Sequence, residues 1–486
     1  MGDKSQCWVS TALLWFQKRA FLWGQHRDKD IAMVDEYAEL HRPQFHFTAR
    51  RNWINDPNGL VFHEGLWHLF FQHNDEAPTW GRMWWGHAVS RDLFHWKQVE
   101  NALHPDHMGS MFSGSAVVDH ENTAGFGVGA LLLFYTAFGE HAEPACPTSQ
   151  CLAYSTDNGK QWKKYKENPI IGWMEADNRD PKVVWHESSR RWIMALYLED
   201  ERYCLLSSSD AKTWTRFQEI TLEGESECPD FFPILDDVGA ERWVFAGAGG
   251  SYRVGRFDGE TFVPETPVLR YEHGRNGYAA QTWSNAPDNR QIQISWMAGG
   301  RYPEMPFNQQ LSLPVQLSLV GSGKSARLKR WPVHELDLLR IRTVSVARQT
   351  ISKGQPMIAE TDGILLDVSF KVFRQSAKGF YVVARGHPIV FDWDEMTLSV
   401  ETSGKSKMTE DRPFAKLPET DGLGVRLIID RTSIEVFLDG GSISASFCFL
   451  PDGYIHPLVL HSYSSEQIIE DFKLHELAST WKDGDE

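Results

Sequence analysis

The stretch Leu66–Gln72, which reads LWHLFFQ, is a short run of apolar and aromatic residues that follows a glycine turn. Runs of this kind are typical of β-strands that are buried on both faces. Similar runs recur along the chain at intervals of about 50 to 65 residues. They are LLLFYTA at Leu131–Ala137, RWIMALYL at Arg191–Leu198, RWVFAG at Arg242–Gly247 and QIQISWM at Gln291–Met297. Five occurrences of one strand type predict five similar sheets.

A second repeated pattern follows three of these strands. It combines Ser-x-Asp with a Trp a few positions later, and it occurs at Ser90/Asp92/Trp96, Ser155/Asp157/Trp162 and Ser208/Asp210/Trp214. Aspartate at such a position typically holds a turn, and we expect each Trp to anchor its hairpin in the core. Helical periodicity is scarce in this part of the chain. Small sheets repeated around an axis form a β-propeller, so the sequence predicts an all-β fold with a five-bladed β-propeller.

Three acidic residues fall in phase with the repeated strands. Asp56, in the stretch RNWINDPNG at residues 51–59, precedes Trp67 by 11 residues. Asp180 precedes Trp192 by 12 residues, and Glu227 precedes Trp243 by 16. An isolated Asn-Asp-Pro-Asn-Gly stretch would be read as a turn. The common phase instead places all three acids on or beside the innermost strand of a blade, where strands of different blades converge. Like charges brought together in this way are typical of a functional site.

The pattern changes beyond about residue 345. Segments such as VRLIIDRTSIEVFLDGG and HPLVLHSY alternate between apolar and polar residues, as antiparallel strands with one buried face do. We therefore expect a C-terminal β-sandwich without a catalytic cluster, in which Asp430 and Glu435 are surface or interdomain residues. The predicted divisions are an N-terminal extension of unknown role at 1–37, a propeller at 38–325, a connector at 326–345, a sandwich at 346–478 and a tail at 479–486.

Composition limits the partners that the protein can have. The 486 residues include 49 Lys and Arg against 65 Asp and Glu, a formal net charge of −16. This charge argues against nucleic acid and anionic membranes as partners and favours a neutral substrate. Tryptophan is abundant, with 20 residues. Most of these Trp side chains are expected to fill the core, and some to stack on sugar rings.

The cysteines and the N-terminus bear on the cellular location. The six cysteines are scattered and form no CxxC pair, so neither a zinc site nor a disulfide framework is indicated. Cys146 and Cys151 could bridge a loop, although a reduced state is simpler. The apolar run at 8–16 is too short to span a bilayer, and no small-residue cleavage site follows it. We predict a cytoplasmic protein, with secretion as the alternative, and the oligomeric state stays open.

Three motifs together resemble glycoside hydrolase family 32, which contains invertases, inulinases, levanases and fructosyltransferases. They are Trp53–Gly59 (WINDPNG), Arg179–Pro181 (RDP) and Glu227–Pro229 (ECP). The resemblance runs from about His41 to residue 476 and is closest to the exo-inulinase and levanase branch. It implies the same architecture as the repeats, a five-bladed propeller followed by a sandwich. It implies a retaining exo-acting β-fructofuranosidase that releases fructose from sucrose, fructo-oligosaccharides and fructans without metal or other cofactor.

The resemblance also assigns roles to individual residues. Asp56 is the expected nucleophile, Glu227 the acid/base and Asp180 the residue that grips sugar hydroxyls and stabilises positive charge. Glu225 and Asp230 rival Glu227 on spacing alone, and only the motif separates them. Further substrate-binding positions are Trp53, Asn55, Gln72, Trp80, Phe112, Ser113, Arg179 and Trp296. Trp85 and Trp283 also come into question, but core packing is the better prediction for both.

Other functions remain open at this point. A fructosyltransferase of the same family would share the three acids. A sialidase is the rival enzyme, because STDNGKQW at 155–162 has the form of a hairpin found in those propellers, although no matching set of arginines is in phase with the repeats. A non-catalytic fructan-binding protein is a third reading, against which the presence of all three acids argues. Linkage preference and the use of phosphorylated sucrose are left undetermined by the sequence.

Overall fold

The structure is a computed structural model that describes residues 36–400, 415–450 and 458–481. The described residues from Leu40 onward belong to one compact unit. Most of the predicted extension at 1–37, and residues 482–486 of the predicted tail, therefore lie outside the described residues. Among the described residues, no helix has the length and apolar character needed to cross a membrane.

The protein is all-β, as predicted. In the described chain the helical elements are short 3₁₀ turns, at Gly139–His141, Pro287–Asn289, Gly323–Ser325, His334–Leu339 and Asp439–Gly441. The repeated apolar runs all form strands, and each is the second strand of its own sheet. Buried on both faces and rich in β-branched and aromatic residues, these runs suit an interior strand.

The first two sheets contain β1 to β8. In chain order these strands are β1 (Asn52–His63), β2 (Leu66–Asn74), β3 (Trp84–Ser90), β4 (Lys97–Gln98), β5 (Ser110–Asp119), β6 (Ala130–Phe138), β7 (Ser149–Ser155) and β8 (Lys163–Lys164). Sheet 1 has the antiparallel order β1-β2-β3-β4, and sheet 2 has the order β5-β6-β7-β8.

The next three sheets continue the pattern. Their strands are β9 (Arg179–His186), β10 (Arg191–Glu199), β11 (Arg202–Ser208), β12 (Thr215–Thr221), β13 (Asp230–Leu235), β14 (Glu241–Ala246), β15 (Ser251–Phe257), β16 (Phe262–Pro264), β17 (Leu269–Arg270), β18 (Gly277–Thr282), β19 (Gln291–Met297), β20 (Phe307–Asn308), β21 (Val315–Val320) and β22 (Arg327–Pro332). Sheet 3 is β9 to β12, sheet 4 is β13 to β17, and sheet 5 is β18-β19-β21-β22. Strand β20 lies between β19 and β21 in the chain but is not part of sheet 5. It pairs in parallel with β1 of sheet 1.

The first strands of the five sheets lie next to one another. Strand β1 contacts β5, β5 contacts β9, β9 contacts β13, β13 contacts β18, and β18 contacts β1. Residues on these first strands can therefore meet although they are far apart in sequence. Asp56 lies on β1 and Asp180 on β9, while Glu227 lies three positions before the start of β13. The structure thus places each acid on or beside the first strand of a sheet, as its spacing from the repeated strand predicts.

The Ser-x-Asp hairpins are built as the sequence indicates. Asp92 Oδ1 accepts hydrogen bonds from the backbone N–H groups of Phe94 and His95, at 3.0 and 2.8 Å. Asp157 and Asp210 make equivalent bonds in their own hairpins. The Trp that follows each Asp packs against a hydrophobic core, and Trp96 is buried. These hairpins therefore hold the ends of the sheets and contribute no group to the acid cluster.

Two six-stranded sheets follow. Their strands are β23 (Arg340–Ile351), β24 (Met357–Ile358), β25 (Leu366–Phe373), β26 (Gly379–Ala384), β27 (His387–Asp392), β28 (Thr397–Val400), β29 (Ala415–Lys416), β30 (Gly422–Ile429), β31 (Ser433–Leu438), β32 (Ile443–Cys448), β33 (Val459–Ser462) and β34 (Gln467–Leu477). Sheet 6 has the order β23-β34-β25-β30-β31-β32, and sheet 7 has the order β24-β33-β26-β27-β28-β29. Side chains of both sheets share one hydrophobic core.

The segment between sheets 5 and 6 is shorter than the predicted connector at 326–345. Strand β22 pairs with β21 over six residue pairs, so sheet 5 extends to Pro332. Strand β23 already begins at Arg340, which leaves only 333–339 between the sheets. The basic residues of Arg327–Pro332 obscured this strand in the sequence, because Arg330 is buried in an ion pair with Glu272 at 2.8 Å.

Asp430 and Glu435 are not surface residues. Both are buried, and they clasp His46 between them, with Asp430 2.8 Å from Nδ1 and Glu435 2.7 Å from Nε2. Although burial opposes it, the hydrogen bonds that the His46 ring donates to these two carboxylates raise the pKa of His46 to about 9. Asp430 also accepts the backbone N–H of Gln44. The pair therefore ties sheet 6 to the segment that precedes β1.

Candidate active site

Asp56 lies on a strand, although its neighbours are turn-forming residues. The ladder between β1 and β2 is irregular between Ile54 and Pro57 and again between Asn58 and Val61. Such irregularities re-aim side chains without ending the strand. Ser113 Oγ on the neighbouring β5 donates a 2.6 Å hydrogen bond to Asp56 Oδ2. The stretch is therefore bulged strand, and its carboxylate points toward the adjoining sheet.

Asp180 is placed by two neighbours. Its backbone N–H donates to Thr136 Oγ1 at 2.9 Å, and its Oδ2 accepts the backbone N–H of Cys228 at 3.1 Å. Its φ of 64° lies in the left-handed region, as do the φ values of Glu227 (56°) and Cys228 (36°). Non-glycine residues occupy this region at an energetic cost and are concentrated at functional sites. Two of the three acids therefore have strained backbones.

The thiol of Cys228 contacts two of the three acids. Its Sγ lies 3.6 Å from Asp56 Oδ2 and 3.5 Å from Asp180 Oδ2. The thiol is buried, and burial followed by the negative charges of Asp180 and Asp56 raises its pKa well above the ordinary value. It therefore stays protonated between the two carboxylates and separates them without adding charge. Since Glu227 is the preceding residue in the chain, all three predicted acids belong to one cluster.

Glu227 is held on both carboxylate oxygens. Arg179 Nη2 donates to Oε1 at 2.7 Å, and Tyr278 Oη donates to Oε2 at 2.5 Å. About a third of the Glu227 side chain is exposed, whereas Asp56 and Asp180 lie deeper. Arg179 also stacks over Tyr197, with 4.7 Å between its Cζ and the ring centroid. Glu227 is thus the acid of the cluster that a leaving group can reach from solvent.

The two rival acids are engaged elsewhere. Glu225 accepts the backbone N–H groups of Gly249 at 2.6 Å and Ser251 at 2.7 Å. Asp230 pairs with Lys182 at 2.9 Å and accepts the N–H of Thr282 at the same distance. Both are buried, so their oxygens are occupied by structural contacts. This geometry favours Glu227 for the acid role over both rivals.

Burial dominates the electrostatics of the two deeper acids. It raises the pKa of Asp56, which hydrogen bonds from Ser113 and Asn55 partly offset. Burial also raises the pKa of Asp180 to about 7; the charge of Arg179 opposes the shift, and Glu227 and Asp56 add to it. Keeping such a cluster ionised costs free energy in the folded state. This is typical of sites where function requires the charge.

We expect Asp180→Asn to raise the melting temperature at pH 8 by about 2 °C or more, while lowering activity. The folded protein binds the Asp180 proton more tightly than the unfolded chain, since the pKa of about 7 exceeds the ordinary value of 3.8. The folded state is therefore penalised as pH rises from 4 through 7, and the amide removes that penalty. Melting curves of both proteins between pH 4 and 8 should show the gain fade toward pH 4.

Asp367 provides the matched control for this measurement. It is also buried, but Arg426 and Arg340 outweigh the effect of burial and lower its pKa. Its carboxylate therefore stabilises the folded state above the ordinary pKa, and this contribution is lost as pH falls. Asp367→Asn should lower the melting temperature at pH 8. Equal losses at pH 8 in the two variants would contradict the account of Asp180.

Most of the predicted substrate-binding residues surround the cluster. Trp53 Nε1 donates to Asn55 Oδ1 at 2.9 Å, and the Trp53 ring meets Trp296 edge-on, with 6.2 Å between centroids. Trp296 also lies 6.2 Å from the ring of Tyr278, the residue that holds Glu227. These aromatic rings form one wall next to the acids.

A second wall lies on the side of sheet 2. The ring of Trp80, which is 53% exposed, meets Phe112 edge-on at 6.2 Å, beside Ser113 in the chain. Gln72 is buried, and its Nε2 donates to Met111 O at 2.8 Å, so this amide donor already has a partner in the protein. Trp85 and Trp283 are buried core residues, as expected.

Tyr278 and the thiol of Cys228 are functional candidates that sequence reasoning missed. Tyr278 lies five residues before Trp283 in the segment GYAAQTW and carries no signature of its own. Its contact with Glu227 joins positions 51 residues apart. Cys228 belongs to the ECP motif, but the motif alone does not indicate that its thiol contacts Asp56 and Asp180. Only knowledge of how sheets 4 and 5 adjoin could have found the first, because the contact depends on the placement of β18 beside β13.

The described cysteines, which exclude Cys7, are all free, so Cys146 and Cys151 do not form a bridge. Within the described ranges, no group of three or more His, Cys, Asp or Glu side chains is arranged to hold a metal ion.

Comparisons with known proteins agree with this geometry. Residues 46–332, which contain all five small sheets, match the Glycosyl hydrolases family 32 N-terminal domain. A levanase of Bacillus subtilis (strain 168) is 34% identical over 93% of the chain and 72% of its own length. An extracellular exo-inulinase of Aspergillus awamori is 29% identical over 93% of the chain and 97% of its own length.

A solved structure also superposes closely. The structure of β-fructofuranosidase from Schwanniomyces occidentalis complexed with fructosyl-erythritol has a TM-score of 0.82 and 26% identity. The similarity covers 93% of this chain and 100% of that one, so it includes sheets 6 and 7 as well as the sheets around the acids.

Proposed function

Since the chain belongs to glycosyl hydrolases family 32, we propose that it is a retaining, exo-acting β-fructofuranosidase that releases terminal fructose from sucrose and fructans. The resemblance predicted from the three motifs is confirmed, and the protein is a glycoside hydrolase. The relatives named levanase and exo-inulinase support fructans as substrates. The observation that carries the mechanism is the contact of Cys228 with both Asp56 and Asp180, immediately beside Glu227.

The roles follow from burial and contacts. Asp56 is the nucleophile: its carboxylate shares the Cys228 thiol with Asp180, and the hydrogen bonds from Ser113 and Asn55 stabilise its ionised form. Glu227, which is partly exposed, gives its proton to the leaving oxygen and later takes one from water. Asp180 binds sugar hydroxyls and stabilises the positive charge that develops on the fructosyl ring. Arg179 and Tyr278 orient Glu227.

The proposed architecture is a five-bladed propeller followed by a β-sandwich. The contacts among the five first strands support the propeller, because they run from β1 round to β18 and back to β1. The shared core of sheets 6 and 7 supports the sandwich. We place the boundary between the two at 333–339, where no strand is present. A cytoplasmic location stays a prediction.

Exo action gives the proposal its test. We expect free fructose to be the dominant early product from inulin and from levan, with the polymer shortening slowly. The three acids lie on or beside first strands that adjoin one another, and aromatic walls flank them, so a chain enters by its end. Sucrose should be split as well, because it presents the same terminal β-fructosyl unit. Products resolved by chain length over the first few per cent of conversion check this.

Alternative outcomes have distinct meanings. An early ladder of medium-length oligosaccharides with little fructose would contradict exo action and leave the acid assignments intact. Products longer than the substrate at high sucrose concentration would identify a fructosyltransferase. Absence of turnover on sucrose, inulin and levan would contradict the proposed function itself.

A further inference from the structure

The segment between β8 and β9 carries an exposed tryptophan, Trp173, that belongs neither to the acid cluster nor to the aromatic walls beside it. The Trp173 side chain is 57% exposed. Its indole N–H is not available to water, because Nε1 donates a hydrogen bond to Ala176 O at 2.9 Å. A large apolar ring held at the surface by its own polar atom is a feature of binding surfaces, since exposure of apolar area is otherwise unfavourable.

The segment is held in place at several points. Glu175 forms ion pairs with Arg202 at 3.1 Å and with Arg216 at 3.0 Å, both of which belong to sheet 3. The Asn178 side chain is buried, and its Oδ1 accepts the N–H of Met174 at 3.2 Å. These contacts flank Trp173 on its C-terminal side. The indole is thus presented on a fixed backbone, which reduces the entropy that binding would cost.

Hydrogen bonds connect this segment to the acid/base. Asp177, the residue after the one that binds the indole, accepts a hydrogen bond from Arg179 Nη1 at 2.9 Å. The other end of the same guanidinium binds Glu227 at 2.7 Å. The segment that holds Trp173 is therefore linked, through Arg179, to the side of the cluster where Glu227 meets the leaving oxygen. The sugars that lie beyond the bond to be broken leave the site on that side.

We propose that Trp173 is a stacking platform for sugar rings of the leaving chain, beyond the ring that is bonded to the terminal fructose. This inference rests on the proposed function, and it adds a binding site for oligomeric and polymeric substrate. The indole offers a flat apolar face, and a sugar ring offers its C–H face to such a surface. Sucrose has a single leaving ring, whereas inulin and levan continue outward from Glu227 toward Trp173. The platform therefore favours long substrates over sucrose, and it leaves the bond-breaking step unchanged.

The test compares kcat/KM for sucrose with kcat/KM for inulin and levan. Trp173→Ala should lower the value for at least one of the polymers about fivefold to tenfold while sucrose changes less than about twofold. Trp173→Phe keeps a ring and should recover part of the loss. Leu338→Ala is the matched control, because it removes a 68% exposed apolar side chain from the 3₁₀ turn between sheets 5 and 6 and should leave all three values unchanged. Melting temperatures establish that each variant is folded.

Each outcome decides between the two proposals. A fall in the polymer-to-sucrose ratio confined to the Trp173 variants supports the platform. An unchanged ratio, or a Trp173→Phe variant as poor as Trp173→Ala, overturns it while leaving the fructosidase assignment in place. Equal losses on sucrose and polymer also overturn it, because a platform beyond the first leaving ring cannot contact the glucose of sucrose. A wild-type protein inactive on all three substrates would instead overturn the proposed function.

Discussion

Asp56→Asn should lower kcat on sucrose by at least about a thousandfold, the loss expected when a covalent nucleophile is removed. An amide is almost isosteric with a carboxylate, and its oxygen can still accept the 2.6 Å hydrogen bond from Ser113. The fold should therefore survive. Because burial raises the pKa of Asp56, the amide also removes a charge that is costly to bury, and the variant should melt no lower than wild type at pH 8. Turnover of sucrose and a thermal melt measure both effects.

Asp92→Asn is the control for this experiment. Asp92 holds a hairpin of sheet 1 by accepting backbone N–H groups, and its pKa is lowered, since those bonds and the one from His95 outweigh burial. Its amide variant should lose stability and keep kcat, the reverse of what Asp56→Asn does. A variant of Asp56 that kept more than about a tenth of the wild-type rate would remove this residue from the nucleophile role.

The sequence predicted the features that depend on local pattern. A buried strand leaves its mark in consecutive apolar residues, so LWHLFFQ and its four counterparts each predicted a strand that the structure contains. The hairpin aspartates also act locally, since Asp92 binds the backbone only two and three residues away. Because each acid precedes its repeated strand by a similar interval, of 11, 12 and 16 residues, their convergence was predicted from the repeat and not from their own neighbours.

What the sequence did not predict depends on contacts between distant segments. Arg330 looked like part of a polar connector, yet it is buried on a strand because Glu272 supplies its counter-charge. Asp430 was predicted to be a surface or interdomain residue, yet it is buried and accepts a hydrogen bond from the backbone N–H of Gln44, 386 positions away. A charged residue gives the same local pattern whether it faces water or a buried partner. Tyr278 was missed for the same reason, since its partner Glu227 belongs to another sheet.

Glu227→Gln should lower kcat/KM on sucrose by about a hundredfold to ten-thousandfold, the range over which general acid catalysis contributes. The alkoxide of glucose is a poor leaving group and needs the proton that Glu227 supplies. The amide can keep the local geometry, because its oxygen can accept from Arg179 and its nitrogen can donate to the hydroxyl of Tyr278. A folded variant with unchanged melting behaviour is therefore expected, and the loss will report chemistry.

The acidity of the leaving group distinguishes a general acid from any other role of Glu227. On an aryl β-fructofuranoside whose phenol is strongly acidic, the bond breaks without protonation, and kcat/KM of Glu227→Gln should stay within about tenfold of wild type. Attack of water on the fructosyl–Asp56 intermediate still lacks its base, so the aryl substrate should show a burst of phenol followed by slow turnover. Equal losses of kcat/KM on sucrose and on the aryl substrate, with no burst, would exclude Glu227 as the acid. Glu225 and Asp230 would not replace it easily, since Gly249 and Ser251 occupy the first and Lys182 the second.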